Sequence, residues 1–214
     1  MQVEIWSDIV CPWCYIGKRK LEAAVESLDG GPAIEVRHRS FELDPRGPEK
    51  GKYSVPEWMQ LSLGMSPTRV EETLSYIARA AAEVGLTYRM TESRAANTFD
   101  AHRLLHLADE RGLGTELRER VMNAFVATTQ DIADHDTLCR LAAEAGLDDA
   151  EAREVLESGA YGDAVRQDES DALGTGVRGV PAFRINGGAA FSGVLSVPDL
   201  TAVLQRELAR TSAS

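Results

Sequence analysis

The sequence predicts an α/β fold that is interrupted by an all-helical insertion. Three observations support this prediction: strand-like segments lie towards both ends of the chain, one amphipathic helix separates the first two, and the stretch before the later strands shows helical patterns only. We therefore expect an α/β domain formed by residues 1–54 and 159–214, with a helical domain inserted at 55–158.

A short segment with two cysteines separates the first strand from the first helix. Residues 3–6 are rich in β-branched and aromatic side chains, which is typical of a strand, and residues 16–25 have the spacing of an amphipathic helix. Pro12 is tolerated in a first helical turn because its missing N–H would have no partner there. We therefore expect the helix to begin near Pro12, with Cys11 at or next to the N-cap.

A second strand follows a cluster of helix-breaking residues. The cluster at 29–32 contains two glycines and a proline, and residues 33–41 then alternate apolar and polar side chains. Because a helix lies between the two strands, the connection is a βαβ crossover and the strands should be parallel. The polar segment 42–51 then marks a boundary.

The insertion is predicted to contain six helices, marked by capping residues and glycines. Ser66 with Pro67 signals one start and Asp148 another, while Gly112 and Gly146 mark ends. The predicted helices are 55–63, 66–85, 95–111, 115–125 with Thr115 as its cap, a helix that begins at Asp134 or Asp136 and ends at Gly146, and 148–156.

Strand character returns after one more helix, which is expected at 160–174. A strand is predicted at 182–185, and a turn at 186–188 joins it to another at 189–192. Gly187 suits the positive φ of a two-residue hairpin turn. A final helix is expected from Val197 to about Leu208.

The composition limits the partners that this chain can have. It has 34 Asp and Glu against 23 Lys and Arg, a formal net charge of −11, and is 43% hydrophobic. Nucleic acids and anionic membranes bind concentrated positive patches, so we expect neither as a partner. No run approaches the ~18 apolar residues of a membrane span, and the first strand leaves no room for a signal peptide. We expect a cytoplasmic protein.

Cys11 and Cys14 form a C-x-x-C pair at the first strand-to-helix junction. The unpaired N–H groups and positive dipole end of the helix stabilise a thiolate on Cys11, which makes this residue a nucleophile at neutral pH. Attack by Cys11 on a disulfide gives a mixed disulfide that Cys14 can displace. We predict a redox-active pair in which Cys11 attacks, and such a thiol has to be reachable from solvent.

Two other roles for the cysteine pair remain open. Zinc needs four ligands, and Cys139 with His135, four residues earlier, would supply the other two. The second alternative is a disulfide without chemistry, although so short a loop constrains the unfolded chain little. Cys139 lies on the apolar side of its predicted helix and is interpreted as a small buried hydrophobic residue.

The predicted order, β-α-β, helical insertion and α-β-β-α, with C-x-x-C at the first junction, resembles the thioredoxin fold as it occurs in the DsbA superfamily. Four further motifs are Ser7-Asp8 followed by Cys-Pro-Trp-Cys-Tyr-Ile-Gly-Lys-Arg, Phe41-Glu-Leu-Asp-Pro45, Asn97-Thr-Phe-Asp-Ala-His-Arg-Leu-Leu105 and Gly179-Val-Pro-Ala-Phe183. They resemble the FrnE-like branch, which is related to 2-hydroxychromene-2-carboxylate isomerases and kappa-class glutathione transferases. Together they extend over nearly the whole chain.

The resemblance implies a thiol-disulfide oxidoreductase that acts on protein or small-molecule thiols and disulfides. It implies no metal or prosthetic group, with glutathione open as a co-substrate, and it leaves a homodimer open. Its isomerase and transferase relatives typically carry serine at the position of Cys11, so the presence of both cysteines favours the redox branch. A glutathione-dependent isomerase or transferase is the alternative, and a non-catalytic interaction module is a second one.

Several further residues are candidates for substrate contact. The resemblance implies that the Val180–Pro181 bond is cis and that the Val180 backbone pairs with bound substrate. Trp13 would either flank the substrate groove or shield the disulfide. Asn97 and His102 lie at the start of a predicted helix, and the resemblance implies that this helix start packs towards the active site. In the alternative interpretation, Asn97 caps the helix and His102 is a surface or lightly buried side chain.

Asp8, three residues before Cys11, is interpreted as a turn residue; the alternatives are that it raises the pKa of the Cys11 thiol or relays a proton.

Overall fold

The computed structural model describes residues 1–28, 34–48 and 51–212, which form four strands and nine helices. The predicted breaker cluster at 29–32 lies outside the described residues. In chain order the elements are β1 (Gln2–Ser7), α1 (Pro12–Glu26), β2 (Glu35–Ser40), α2 (Val55–Leu63), α3 (Pro67–Ala82), α4 (Phe99–Glu110), α5 (Gly114–Val126), α6 (His135–Glu144), α7 (Asp149–Ser158), α8 (Gly162–Gly174), β3 (Ala182–Ile185), β4 (Phe191–Ser192) and α9 (Val197–Ser212).

The four strands form one sheet in the order β2-β1-β3-β4. β1 pairs with β2 in parallel, as the predicted crossover requires, and β3 lies antiparallel on its other side. β3 and β4 form the predicted hairpin, with Gly187 at a φ of 70°. This arrangement confirms the thioredoxin-like fold with a helical insertion.

Successive side chains of a strand point to opposite faces of the sheet. Apolar side chains on both faces of this sheet are buried, and helices pack on each face. One face packs against α1 and α9, and its buried side chains are Val3, Ile5, Leu21, Ala24, Phe183, Ile185, Leu200 and Leu204. On the other face, Trp6 and Ala182 pack with Ala172 of α8 and with Val177. β1 is therefore the central strand of the core, and it leads directly into the cysteine motif.

Glu4 of β1 is only 3% exposed, although its side chain carries a carboxyl group. Its carboxylate accepts hydrogen bonds from Arg39 of β2 at 2.8 Å and from Arg184 of β3 at 2.6 Å. Arg39 also donates to Asp168 of α8 at 2.7 Å, and Asp168 accepts from the Ser40 backbone N at 2.9 Å. The charged network therefore links three strands and α8.

The pKa of Glu4 shows how this charge is accommodated. Burial by itself raises the pKa of the carboxyl, but the hydrogen bonds and positive charges of Arg39 and Arg184 outweigh it and hold the pKa below the ordinary value. Glu4 is therefore held as a carboxylate between two guanidinium groups.

Two predicted helix starts in the insertion are wrong. α4 begins at Phe99 and not at residue 95, because the preceding backbone is used elsewhere: Ala95 N donates to Tyr53 O at 2.9 Å, and Asn97 N donates to Pro48 O at 3.0 Å. α5 begins at Gly114, so Thr115 lies inside the helix and does not cap it.

The other capping predictions in the insertion agree better with the structure. α2 has its predicted bounds, and Asp134 and Asp148 cap α6 and α7 through side-chain hydrogen bonds to backbone N–H groups. α9 continues to Ser212, beyond the predicted end at Leu208.

The chain divides into two compact units, Met1–Leu43 with Asp168–Ser214, and Asp44–Gln167. The first contains the sheet with α1 and α9, and the second contains α2 to α7. The predicted boundaries at 54/55 and 158/159 lie inside the second unit, and they stay a prediction. None of the helices in the described part of the chain combines the length and the apolarity needed to cross a bilayer.

Candidate active site

Cys11 occupies the N-cap position of α1. Its backbone is extended, with φ −80° and ψ 111°, and Pro12 follows in the first helical turn. The Cys11 carbonyl accepts a hydrogen bond from Cys14 N at 3.0 Å, which closes the turn between the two cysteines. Cys11 keeps 4% of its surface exposed, whereas Cys14 has none. Both cysteines are buried, and Cys11 is the less buried member of the pair.

Cys14 is a free thiol in the interior of the first unit. Its sulfur accepts a hydrogen bond from the Asp8 backbone N at 3.4 Å. Burial raises the pKa of the Cys14 thiol well above its usual value, and the hydrogen bond and charge of Cys11 raise it further. Cys14 is therefore protonated at neutral pH, as a resolving thiol is before it attacks.

The loop before β3 faces the cysteine pair. The Val180–Pro181 peptide bond is cis, the isomer that the resemblance implied. The Cys11 sulfur lies 3.6 Å from the Val180 carbonyl oxygen, to which the thiol donates. Within the described residues, the Cys11 side chain makes no capping hydrogen bond to α1. The Cys11 sulfur is thus directed to the loop before β3.

Gly17 allows α1 to approach this loop closely. A Cβ at position 17 would lie 3.1 Å from Cγ of Pro181 and 3.6 Å from the ring of Phe183. Glycine is unfavourable inside a helix, so its presence there commonly indicates a close contact.

Asp8 is buried at 1% exposure and holds the loop that carries Cys11. One carboxylate oxygen accepts from Ile9 N at 2.7 Å, and the other accepts from Leu43 N at 2.7 Å. The bond to Ile9 is local, as the predicted turn role implies, whereas the bond to Leu43 is not. The bond to Leu43 joins the end of β1 to the segment that follows β2, and the sequence carries no signal for such a long-range contact.

The remaining predicted site residues lie in two places. Trp13 is half-buried in the first turn of α1. Asn97 and His102 belong to the helical unit; Asn97 accepts from Phe99 N at 3.0 Å at the start of α4, and His102 is 2% exposed. Substrate contact by these three residues stays a prediction.

Among the described residues, no group of three or more His, Cys, Asp or Glu side chains is arranged to hold a metal ion. Cys139 is 1% exposed in α6, and burial raises the pKa of its thiol. This burial agrees with the interpretation of Cys139 as a small hydrophobic residue.

The fold and this site define a thioredoxin-like protein with a dithiol at the start of its first helix. A family model, described as the DSBA-like thioredoxin domain, matches residues 2–205. The chain therefore belongs to the DSBA-like thioredoxin domain family.

Two similar proteins share more than 30% of their residues with this chain. The uncharacterized protein YwbO of Bacillus subtilis (strain 168) is 32% identical over 168 residues, which are 78% of this chain and 77% of YwbO. The crystal structure of a probable DsbA oxidoreductase, SCO1869 of Streptomyces coelicolor, superimposes with a TM-score of 0.90 at 39% identity, covering 96% of this chain and 89% of that one.

Two solved structures of lower identity share the fold. A 2-hydroxychromene-2-carboxylate isomerase has a TM-score of 0.66 at 14% identity, over 100% of this chain and 98% of that one. The cytosolic disulfide reductase DsbM of Pseudomonas aeruginosa, solved with GSH, has a TM-score of 0.61 at 21% identity, over 97% of this chain and 99% of that one.

Proposed function

We propose that this protein is a thiol-disulfide oxidoreductase that exchanges a Cys11–Cys14 dithiol and disulfide with protein or small-thiol substrates. The observation that carries the proposal is the asymmetry of the pair. Cys11 keeps 4% of its surface exposed and lies 3.6 Å from the Val180 carbonyl oxygen, while Cys14 is fully buried one turn further along α1 and has a raised pKa. An attacking thiol and a resolving thiol require these different environments.

The exchange balances without a metal or prosthetic group. In the reducing direction, the Cys11 thiolate attacks one sulfur of a substrate disulfide, a Cys11–substrate disulfide forms, and the other substrate sulfur leaves as a thiolate. Cys14 then loses its proton and attacks the Cys11 sulfur, which releases the second substrate thiolate. Two electrons pass from the pair to the substrate, and the pair is left as a Cys11–Cys14 disulfide. Two molecules of an external thiol such as glutathione reduce it again and leave as their own disulfide; the oxidising direction is the reverse.

The segment around Val180 and Pro181 is the proposed substrate-docking edge. A substrate strand that pairs with the Val180 backbone would bring its disulfide beside Cys11, because the Val180 carbonyl and the Cys11 sulfur are in contact. We also propose that the substrate contacts three further side chains, those of Trp13, Asn97 and His102.

Glutathione is the small thiol that we propose as co-substrate. The structure of DsbM with GSH, which shares the fold, supports this choice. We propose a cytoplasmic setting, where a reducing thiol pool favours a cysteine pair that cycles over one that is a permanent cross-link.

Cysteine variants test the proposal directly. Cys11→Ser should abolish the reduction of insulin by a dithiol or by glutathione, because no nucleophile remains. Cys14→Ser should form a stable mixed disulfide with substrate on Cys11, visible by mass spectrometry, because the second step is lost. Cys139→Ser, at a buried thiol far along the sequence, is the matched control and should keep full activity. Retained activity in Cys11→Ser would contradict the proposal.

The same variants separate the alternative functions. A glutathione-dependent isomerase or transferase uses the site to activate glutathione and would keep its activity in Cys14→Ser, whereas a dithiol cycle would not. A non-catalytic module would show no turnover and no mixed disulfide in any variant.

A further inference from the structure

β2 forms one edge of the sheet. Among the described strands it pairs only with β1, in the order β2-β1-β3-β4. The backbone groups of successive strand residues point to alternate sides, and Glu35 N donates to Met1 O at 2.9 Å. The N–H and C=O of the next residue, Val36, therefore point away from β1. Outward backbone groups of this kind can pair with a strand of another chain.

The exposed part of this edge is the start of β2. Glu35, Val36 and Arg37 are exposed, and 36% of the Val36 surface is accessible, whereas the strand becomes buried towards Ser40. Ser40 N donates to Asp168 Oδ2 at 2.9 Å, so the backbone at the other end of the strand already has a partner. The accessible edge is therefore a segment of three residues.

Two opposite charges lie in this exposed segment. Glu35 and Arg37 are two residues apart, so their side chains are on the same face of the sheet. Neither side chain makes an ion pair within the described part of the chain. Arg37 lies opposite Glu4 in the register with β1, but Glu4 is bound by Arg39 and Arg184. Both charges are therefore available to a partner.

The segment Glu35-Val36-Arg37 is complementary to itself in an antiparallel pair. With Val36 on a two-fold axis, the outward N–H and C=O of one Val36 face those of its counterpart. Glu35 of each copy then lies opposite Arg37 of the other, in a non-hydrogen-bonded pair, where side chains are closest and opposite charges are favourable. The symmetry produces this charge pair twice.

We propose that two copies of this chain associate by antiparallel pairing of their β2 strands, with Val36 at the centre and Glu35 opposite Arg37. The two four-stranded sheets then form one continuous sheet. Because only three residues of each copy pair, the dimer is weak and forms at high protein concentration. The pairing lies beside the start of β1, whereas the cysteine motif follows its end, so the proposal does not depend on disulfide exchange.

Sedimentation equilibrium of the full-length protein tests the proposal. Each copy has a net charge of −11, so the measurement belongs at physiological ionic strength, where exposed charges more than about 8 Å apart are screened. The parent should show reversible monomer–dimer association. Glu35→Arg and Arg37→Glu should each weaken it about tenfold or more, because like charges then face each other twice. An equimolar mixture of the two variants should associate at least as well as the parent, since both facing pairs are again opposite in charge.

Val36→Pro tests the backbone pairing independently of charge. Proline removes an N–H that points away from β1, and it is tolerated in an edge strand at such a position. The variant should therefore unfold in urea close to the parent but should not dimerise.

Arg69→Glu is the matched control for Arg37→Glu, because Arg69 of α3 is 71% exposed and the net charge changes equally. It should associate as the parent does. Equal weakening by Arg69→Glu and Arg37→Glu would show a diffuse charge effect and overturn the proposal. A parent that stays monomeric at every concentration, a mixture of the two charge variants that does not associate, or a dimer of Val36→Pro would overturn it as well.

Discussion

Gly17 of α1 packs directly on Pro181, whose Cγ would lie 3.1 Å from a Cβ at position 17. A residue in the middle of a helix thereby sets the distance between the helix that begins with the cysteine motif and the loop that faces it. The contact is closer than a side chain ordinarily permits, so the loop or the helix must shift when position 17 carries one.

We therefore expect Gly17→Ala to be no more stable than the parent protein, although alanine is favoured over glycine inside a helix by about 0.8–1.0 kcal/mol. Gly17→Val should lose about 1–3 kcal/mol, as overpacking does in other cores. Both variants should also exchange disulfides more slowly. Urea denaturation and insulin reduction measure the two effects.

Gly174→Ala is the control for this prediction, because a Cβ at the end of α8 meets no atom within 4 Å in the described structure. It should be neutral or stabilising. If Gly17→Ala were stabilised as much as Gly174→Ala, the close packing on Pro181 would be disproved.

Asp8→Ala should destabilise the protein by about 1–3 kcal/mol, because it leaves the N–H groups of Ile9 and Leu43 without their acceptor. The rate of disulfide exchange should fall as well, since the segment between Asp8 and Cys11 loses its anchor. Asp44→Ala is the control: its carboxylate accepts from Arg46 N at an exposed turn, where water can replace it. Equal stability losses in the two variants would refute a special role for Asp8.

Glu4→Gln should cost about 3–5 kcal/mol, because it removes the charge that two partly buried arginines share. The effect should depend on pH. The pKa of Glu4 is lower in the folded protein than in the unfolded chain, so its contribution is present above the unfolded value of about 4.3 and is lost as the pH falls through the folded value. Between pH 6 and pH 3 the parent should therefore lose more stability than Glu4→Gln.

An exposed ion pair provides the comparison for this network. Arg89 and Glu92 are each 53% exposed, so Glu92→Gln should change the free energy of unfolding little. Denaturation curves of Glu4→Gln and Glu92→Gln that coincide at each pH would show that the Glu4 network does not stabilise the fold.

Alkylation of the native, reduced protein should label Cys11 at least about tenfold faster than Cys14 or Cys139, because reaction requires an accessible thiolate. Cys11 retains 4% exposure, and burial raises the pKa of both other thiols. Time-resolved mass spectrometry after iodoacetamide addition measures the three rates, and denaturant should make them similar. Labelling of Cys14 as fast as Cys11 would contradict the proposed asymmetry of the pair.

The local features of this protein follow from its sequence because each depends on a few neighbouring residues. Pro12 after Cys11 predicts where α1 begins, Asp148 predicts the start of α7, and the helix between two strands predicts their parallel pairing. Local propensity was insufficient at α4, because the N–H group of Ala95 bonds to Tyr53 O and that of Asn97 bonds to Pro48 O.

The sequence by itself determined the cysteine motif, its place at a strand-to-helix junction and the order of elements, because short-range patterning and capping encode these. Only the tertiary structure decided that Glu4 is buried between Arg39 and Arg184 and that Asp8 holds Leu43. Each of these contacts joins residues far apart in the chain, and their burial and charge exist only once the elements have packed.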